Sequence, residues 1–130
     1  MQQKYLVIGL GQIGKAVQKL LFEKYDVISI NYTDTTQEKF DGIFICFPYT
    51  PKFENEVKTY QKIYLKENGF TCIHSTVPIG TCRKLGATHV PIRGKHPELY
   101  KSLKTFPMLI AGSRASDIRD IYWSLTKENP

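Results

Sequence analysis

Apolar and polar positions fall into blocks along this chain, with short apolar runs separated by stretches of helical spacing. Tyr5-Leu6-Val7-Ile8 has the length and branching of a buried strand, and the spacing of Ala16, Val17, Leu20 and Leu21 predicts a helix over 15–22. Residues 26–31 read as a second strand. Residues 32–41 are polar, with room for one turn of helix. Residues 42–47 form a third, continuously apolar strand, the pattern of a strand covered on both faces. Phe53, Val57, Tyr60 and Tyr64, at spacings of three and four, predict a helix over 52–66 that Asn68-Gly69 would close as a cap. A fourth strand over 70–75, a helical turn over 81–85, a weaker fifth strand over 87–91 and a sixth over 107–111 follow. The last helix, 116–125, places Ile118, Ile121, Tyr122 and Leu125 on one face, and Trp123 reads with Tyr122 as a packing residue.

Strands alternating with helices from end to end argue for an α/β class protein. The expected architecture is a doubly wound parallel sheet of the Rossmann type, about six strands in order 3-2-1-4-5-6. No internal repeat or interdomain linker interrupts residues 1–130, which read as one domain. Hydrophobic residues make up 42% and charged residues 23%, both near globular averages, and no apolar window of about 18 residues suggests a membrane span. The N-terminal pattern is not that of a signal peptide. Cys46, Cys72 and Cys82 are odd in number and form no CxxC pair, and the first two sit in apolar runs; a reducing, cytoplasmic setting is expected.

The strongest chemical signal lies where the first strand hands over to the first helix. Gly9-Leu10-Gly11-Gln12-Ile13-Gly14 is a GxGxxG run in the strand–turn–helix context that gives the motif meaning as a dinucleotide-binding turn. In that reading Gly9 allows the tight turn, Gly11 lets a pyrophosphate approach the backbone, and Gly14 lets helix and strand pack closely. The amides of the helix N-terminus, Gln12 and Ile13 among them, then face the phosphates.

In such sheets the ligand lies beyond the carboxyl ends of the strands. That rule adds Asn31, Tyr32 and Thr33 after the second strand, Phe47 and Pro48 after the third, and Ser75 and Thr76 after the fourth as cofactor-binding candidates. Asn31 stands twenty-two positions after Gly9, where an acidic residue commonly bonds the adenosine ribose. Its neutral amide does not repel a 2′-phosphate, which keeps both NAD and NADP open. The lack of an arginine beside it favours NAD. Arg93, Lys95 and His96 follow the fifth strand and are the substrate-side candidates, His96 also as a catalytic acid/base, and the Ser75 and Thr76 hydroxyls would face the nicotinamide half of the site. His74, inside the fourth strand, and His89 read as structural. No cysteine, histidine or acid spacing suggests a metal site, and no nucleophile elbow or Walker-type sequence is present.

A formal charge of +6 refines this picture. Between Arg83 and Lys104 basic residues are accompanied only by Glu98, which suits either a solvated face or attraction of an anionic small-molecule substrate. Without a nucleic-acid motif, nucleic acid is not the expected partner.

The chain resembles the nucleotide-binding domain of the UDP-glucose/GDP-mannose 6-dehydrogenases. The residues that carry the resemblance are Ile8 to Gly14, the Ile43-Phe44-Ile45-Cys46-Phe47-Pro48 strand with Pro51, and Ser75-Thr76-Val77-Pro78-Ile79-Gly80-Thr81, in that order. The resemblance implies an NAD(P)-dependent oxidoreductase. Gly9, Gly11 and Gly14 would hold the pyrophosphate, Pro48 would line the cofactor cleft, and Thr76 would stand near the nicotinamide and the reacting carbon as a catalytic residue, where the family uses a threonine to hold a water or polarise the intermediate. Two departures accompany it. The family follows its fifth strand with Ser-Pro-Glu, whereas Val90-Pro91-Ile92 lacks the acid. The family's catalytic cysteine, lysine and asparagine come from a helical middle domain, a role that does not pass to Cys82, and this sequence reaches Pro130 before such a domain. The expectation is therefore a dehydrogenase-like homo-oligomer whose site is completed by a dimer mate or partner. The alternatives are a non-catalytic nucleotide-binding module and the N-terminal part of a nucleotide-sugar dehydrogenase.

Overall fold

In the computed structural model, residues 3–31, 35–92, 99–105 and 109–126 are described. The elements run β1 (Lys4–Ile8), α1 (Gln12–Leu21), β2 (Asp26–Ile30), β3 (Phe40–Ile45), α2 (Phe53–Tyr64), β4 (Leu65–Ile73), α3 (Thr81–Leu85), β5 (Thr88–His89), α4 (Leu99–Thr105) and α5 (Ala115–Thr126). The five strands form one parallel sheet in the order β2-β1-β3-β4-β5. The fold is the doubly wound α/β architecture expected, but the strand order is not 3-2-1-4-5-6.

Burial explains the difference. A third strand placed outside β2 would be an edge strand. β3 instead carries Phe40, Ile43, Phe44 and Ile45 with no exposure at all, and it lies between β1 and β4 where both faces are covered. β2, with Asp26 exposed and Ile28 and Ser29 only half-buried, has the pattern of an edge and occupies one. The turn of helix expected before β3 is absent among the described residues 35–39.

The sixth strand is likewise reduced. Ala111 forms an isolated antiparallel bridge to His89, with the His89 N–H on the Ala111 carbonyl at 2.7 Å and the reverse bond at 3.1 Å. Leu109 and Ile110 lie outside any strand, and 107–108 fall outside the described residues. The second helix stops at Tyr64, earlier than its apolar spacing suggests, because Leu65 is already extended and pairs with Phe40. Asn68, at φ 70°, uses its tolerance for left-handed backbone in the irregularity that shifts the β3–β4 register, not in a helix cap.

Period-two alternation divides the core between the two faces of the sheet. Tyr5, Val7, Phe44, Phe70 and Cys72 pack under α1, α4 and α5. Leu6, Ile8, Ile43, Ile45 and Ile73 pack under α2 and α3. Tyr122 of α5 is buried as expected, but Trp123 is 58% exposed, since it follows Tyr122 onto the outer side of the helix. All three cysteines are free thiols. Among the described residues no helix is long and apolar enough to cross a membrane.

Candidate functional site

The glycine turn is built by backbone contacts. The Gly9 N–H donates to the Ile30 carbonyl at 3.0 Å, and the Cys46 N–H to the Ile8 carbonyl at 2.9 Å, which ties the ends of β1, β2 and β3 together. Gly9 has φ +103°, and a Cβ there would meet the Phe47 nitrogen at 2.9 Å. A Cβ on Gly14 would fall 1.6 Å from the Gly9 carbonyl oxygen, so helix and turn approach as closely as glycine allows. Gly11 is different. A Cβ added there meets nothing within 4 Å, and its φ of −74° is open to any residue. The fold itself therefore gives a reason for glycine at 9 and 14 and none at 11.

Gly11 is also the N-cap of α1. Its position offers no side-chain cap to the helix, and the first turn carries no acid. The first i→i−4 bond runs from the Lys15 N–H to the Gly11 carbonyl at 2.9 Å. The amides of Gln12, Ile13 and Gly14 precede it, so they are the donors a helix leaves for an anion at its positive end.

Gln12 and Ile13, the first two of these donors, border a cavity of about 510 Å³ at the carboxyl ends of the strands. Gly9, Gly11, Gln12 and Ile13 line it from the turn, and Asn31, Phe47 and Pro48 from the ends of β2 and β3. Asn31 Oδ1 accepts the Leu10 N–H at 3.3 Å, which joins the end of β2 to the turn. Gly14 lies behind the turn. Ser75 is buried behind the cavity wall, where its hydroxyl donates to the Phe47 carbonyl at 2.5 Å. Thr76 is exposed and does not line the cavity. Tyr32, Thr33, Arg93, Lys95 and His96 lie outside the described residues.

Leu10, Cys46, Ile92 and Leu99 complete the lining. Ile92 stands at the end of the fifth strand run, where a strand-end residue is expected. Leu99 begins α4, a helix that the sequence pattern does not announce; its pairing with Leu103 four positions on was the available signal. Burial pushes the Cys46 thiol pKa far up, so Cys46 serves the cavity as an apolar wall. Ser75 is the brace of that wall. Ser75→Ala is expected to cost about 1–2 kcal/mol in urea-unfolding stability, because the buried Phe47 carbonyl loses its donor.

His74 belongs to the core and not to the cavity. It is 1% exposed and stacks on Phe44. Its Nδ1–H donates to the Val90 carbonyl at 2.8 Å, and its Nε2 accepts the Tyr122 hydroxyl at 2.7 Å. Desolvation lowers its pKa to about 4, against a raising contribution from the Val90 carbonyl, with His89 adding to the lowering. His89 is half-buried, with Nε2 on the Ser75 carbonyl at 2.9 Å.

No protein-family model matches the sequence, and no curated protein matches it. Solved structures match its fold. UDP-D-ManNAc dehydrogenase from Pyrococcus horikoshii is similar with a TM-score of 0.82 at 16% identity, over 95% of this chain and 45% of that one. Prephenate dehydrogenase from A. aeolicus, solved with hydroxyphenyl propionate and NAD+, gives 0.68 at 12%, over 96% and 58%. A reductive aminase from Aspergillus terreus, solved with NADPH and ethyl levulinate, gives 0.67 at 11%, over 96% and 53%. The chain thus spans about half the length of the solved structures it resembles, and what it shares with them is the Rossmann-type α/β fold.

Proposed function

We propose that the cavity at the carboxyl ends of β1, β2 and β3 binds NAD or NADP, and that the protein acts as a dehydrogenase-like oxidoreductase on an anionic substrate. The observation that carries the binding reading is Gly11. It is glycine at a position where the fold would accept a side chain, at an uncapped helix N-terminus that faces a cavity. A pyrophosphate would take the amides of Gln12, Ile13 and Gly14 and fill the space a Cβ at 11 would occupy. Asn31, with Tyr32 and Thr33 beyond it, would meet the adenosine ribose, and Phe47, Pro48 and Ile92 would form an apolar wall toward the nicotinamide. The cavity volume lies within the range of cofactor sites.

A bound nicotinamide supplies the hydride chemistry; the protein's part is to orient the cofactor and exclude water. Thr76 follows Ser75, whose hydroxyl braces Phe47 of the cavity wall, and this chain neighbourhood supports Thr76 as a polar group on the nicotinamide side of the site. Arg93, Lys95 and His96 fall between Ile92 and Leu99, both of which line the cavity, and this supports them as the anion-binding and acid/base side of the site. A second copy of the chain would close the open side.

One observation favours a second reading, a non-catalytic nucleotide-binding module. Among the described residues of the cavity the only ionisable group is Cys46, which burial keeps protonated. Calorimetric titration with NAD and NADP, each oxidised and reduced, tests the binding claim. Saturable uptake of at least one form is expected, and no uptake at about millimolar concentration, the weak end of specific affinity, would refute it. Turnover on a panel of hydroxy acids and sugar nucleotides, reduced by Thr76→Ala with cofactor affinity intact, supports the oxidoreductase. Binding without any wild-type turnover supports the module.

A further inference from the structure

β4 ends at Ile73, yet His74 and Ser75 stay buried, so the polar groups of these two residues need partners within the protein. The His74 N–H donates to the Ile45 carbonyl at 2.9 Å, and the Ser75 hydroxyl donates to the Phe47 carbonyl. The Ser75 carbonyl has a different kind of partner. Among the described residues no backbone N–H reaches it, and it accepts instead the Nε2–H of His89 at 2.9 Å. A carbonyl can only accept, so this contact places a proton on Nε2.

The backbone of His89 is held from two sides. It pairs with Ile73 across the β4–β5 ladder, and it exchanges both of its outward bonds with Ala111, at 2.7 and 3.1 Å. The carbonyl that the ring holds belongs to the peptide joining Ser75 to Thr76. Its orientation sets two things together: the direction in which the chain leaves toward Thr76, and the seat of the Ser75 hydroxyl under Phe47. Two hydrogen bonds in series, of 2.9 and 2.5 Å, therefore connect His89 with a residue that lines the large cavity, although His89 does not line it. The glycine turn and Asn31 are held by other bonds, from Gly9 to the Ile30 carbonyl and from the Leu10 N–H to Asn31.

We infer that His89 is a positioning residue for the nicotinamide side of the cavity, acting through Ser75 on Phe47 and Thr76. The inference rests on the reading of that cavity as a dinucleotide site. Without the Nε2–H the Ser75–Thr76 peptide is free to turn, and the wall that orients the nicotinamide loses its support. The adenosine and pyrophosphate half, on Asn31 and the glycine turn, keeps its own bonds. The effect of His89 is therefore confined to one half of the ligand. The ring also borders a cavity of about 450 Å³ with Cys82 and Ala111, which leaves room for a side chain of another shape at 89.

Calorimetric titration of the full chain with NAD and NADP, and with the nicotinamide-free fragments ADP-ribose and 2′-phospho-ADP-ribose, tests this. His89→Leu removes the N–H and keeps an apolar side chain. It is expected to weaken dinucleotide binding about tenfold and to leave the affinity of the matching fragment unchanged. His89→Gln, whose amide N–H reaches about as far along the side chain as Nε2, is expected to restore dinucleotide affinity. Unchanged dinucleotide affinity in His89→Leu overturns the inference, because the bond then positions nothing. An equal loss for dinucleotide and fragment, or a loss that Gln does not relieve, overturns it as well, because His89 then serves the fold as a whole. A wild type that binds neither dinucleotide refutes the reading of the cavity itself, and this inference with it.

Discussion

Gly11→Asp is expected to raise folding stability and abolish dinucleotide binding, two effects of opposite sign from one side chain. The space for the side chain exists, since a Cβ at 11 meets nothing within 4 Å. Aspartate is a good N-cap where α1 has none, and its charge suits the positive end of the helix. Together these are worth about 1 kcal/mol, with a further contribution from removing glycine's freedom in the unfolded chain. The same carboxylate stands where a pyrophosphate would lie, and repulsion with loss of the helix amides should weaken binding about 100-fold or more. Gly14→Ala is the matched contrast. Its Cβ would be 1.6 Å from the Gly9 carbonyl, so helix and turn must separate, at a cost of about 3 kcal/mol or more in unfolding stability. Urea unfolding and cofactor titration of both variants check the pair. If Gly11→Asp bound cofactor as the wild type does, the phosphate would not sit on this turn.

His74 gives the second large effect. It bonds the end of β5 through the Val90 carbonyl and α5 through the Tyr122 hydroxyl, all fully enclosed. His74→Ala removes both partners and leaves a void beside Phe44, with an expected loss of about 4 kcal/mol. The same site makes stability depend on pH. A pKa lowered from 6.5 to about 4 means that between these values the unfolded chain binds a proton that the folded chain does not. The contribution is therefore complete above pH 6.5 and is lost as pH falls toward 4, by about 3 kcal/mol in all at 1.36 kcal/mol per unit. The proton would enter at Nε2, where it displaces the Tyr122 O–H donor. Stability measured from pH 7.5 to 4 should fall more steeply in wild type than in His74→Asn, and equal slopes would show that His74 is not the group responsible.

What the sequence disclosed follows from how local each signal is. The apolar run before Gly9, the glycine spacing and the helical repeat after it all act within about twenty residues, and β1, the turn and α1 match them. Phe47 and Pro48 were legible as cavity residues because a parallel strand delivers its last residues to one side of the sheet. Strand order was not legible in the same way. Whether β3 pairs with β1 or with β2 depends on which strand is worth most when buried on both faces, and the contrast between Phe40–Ile45 and Asp26–Ile30 carried that information only as degree of burial. Asn68-Gly69 misled for a related reason: left-handed tolerance serves a bulge as well as a helix cap, and the pairing of Leu65 with Phe40 decides between them. Leu99 entered the cavity from α4, which packs on α1 through tertiary contact instead of a long amphipathic repeat.

The central claim is that the open position at Gly11 and the amides after it receive a dinucleotide pyrophosphate. Amide chemical shifts of isotopically labelled protein during titration with NAD(H) and NADP(H) test it residue by residue. The account predicts saturable shifts led by Gly11, Gln12, Ile13 and Gly14, with Asn31 and Phe47 moving at the same ligand concentration and Tyr5, Asp41 and Arg114 unmoved. Shifts confined to the basic surface, or none at the glycine turn at saturating cofactor, would contradict it.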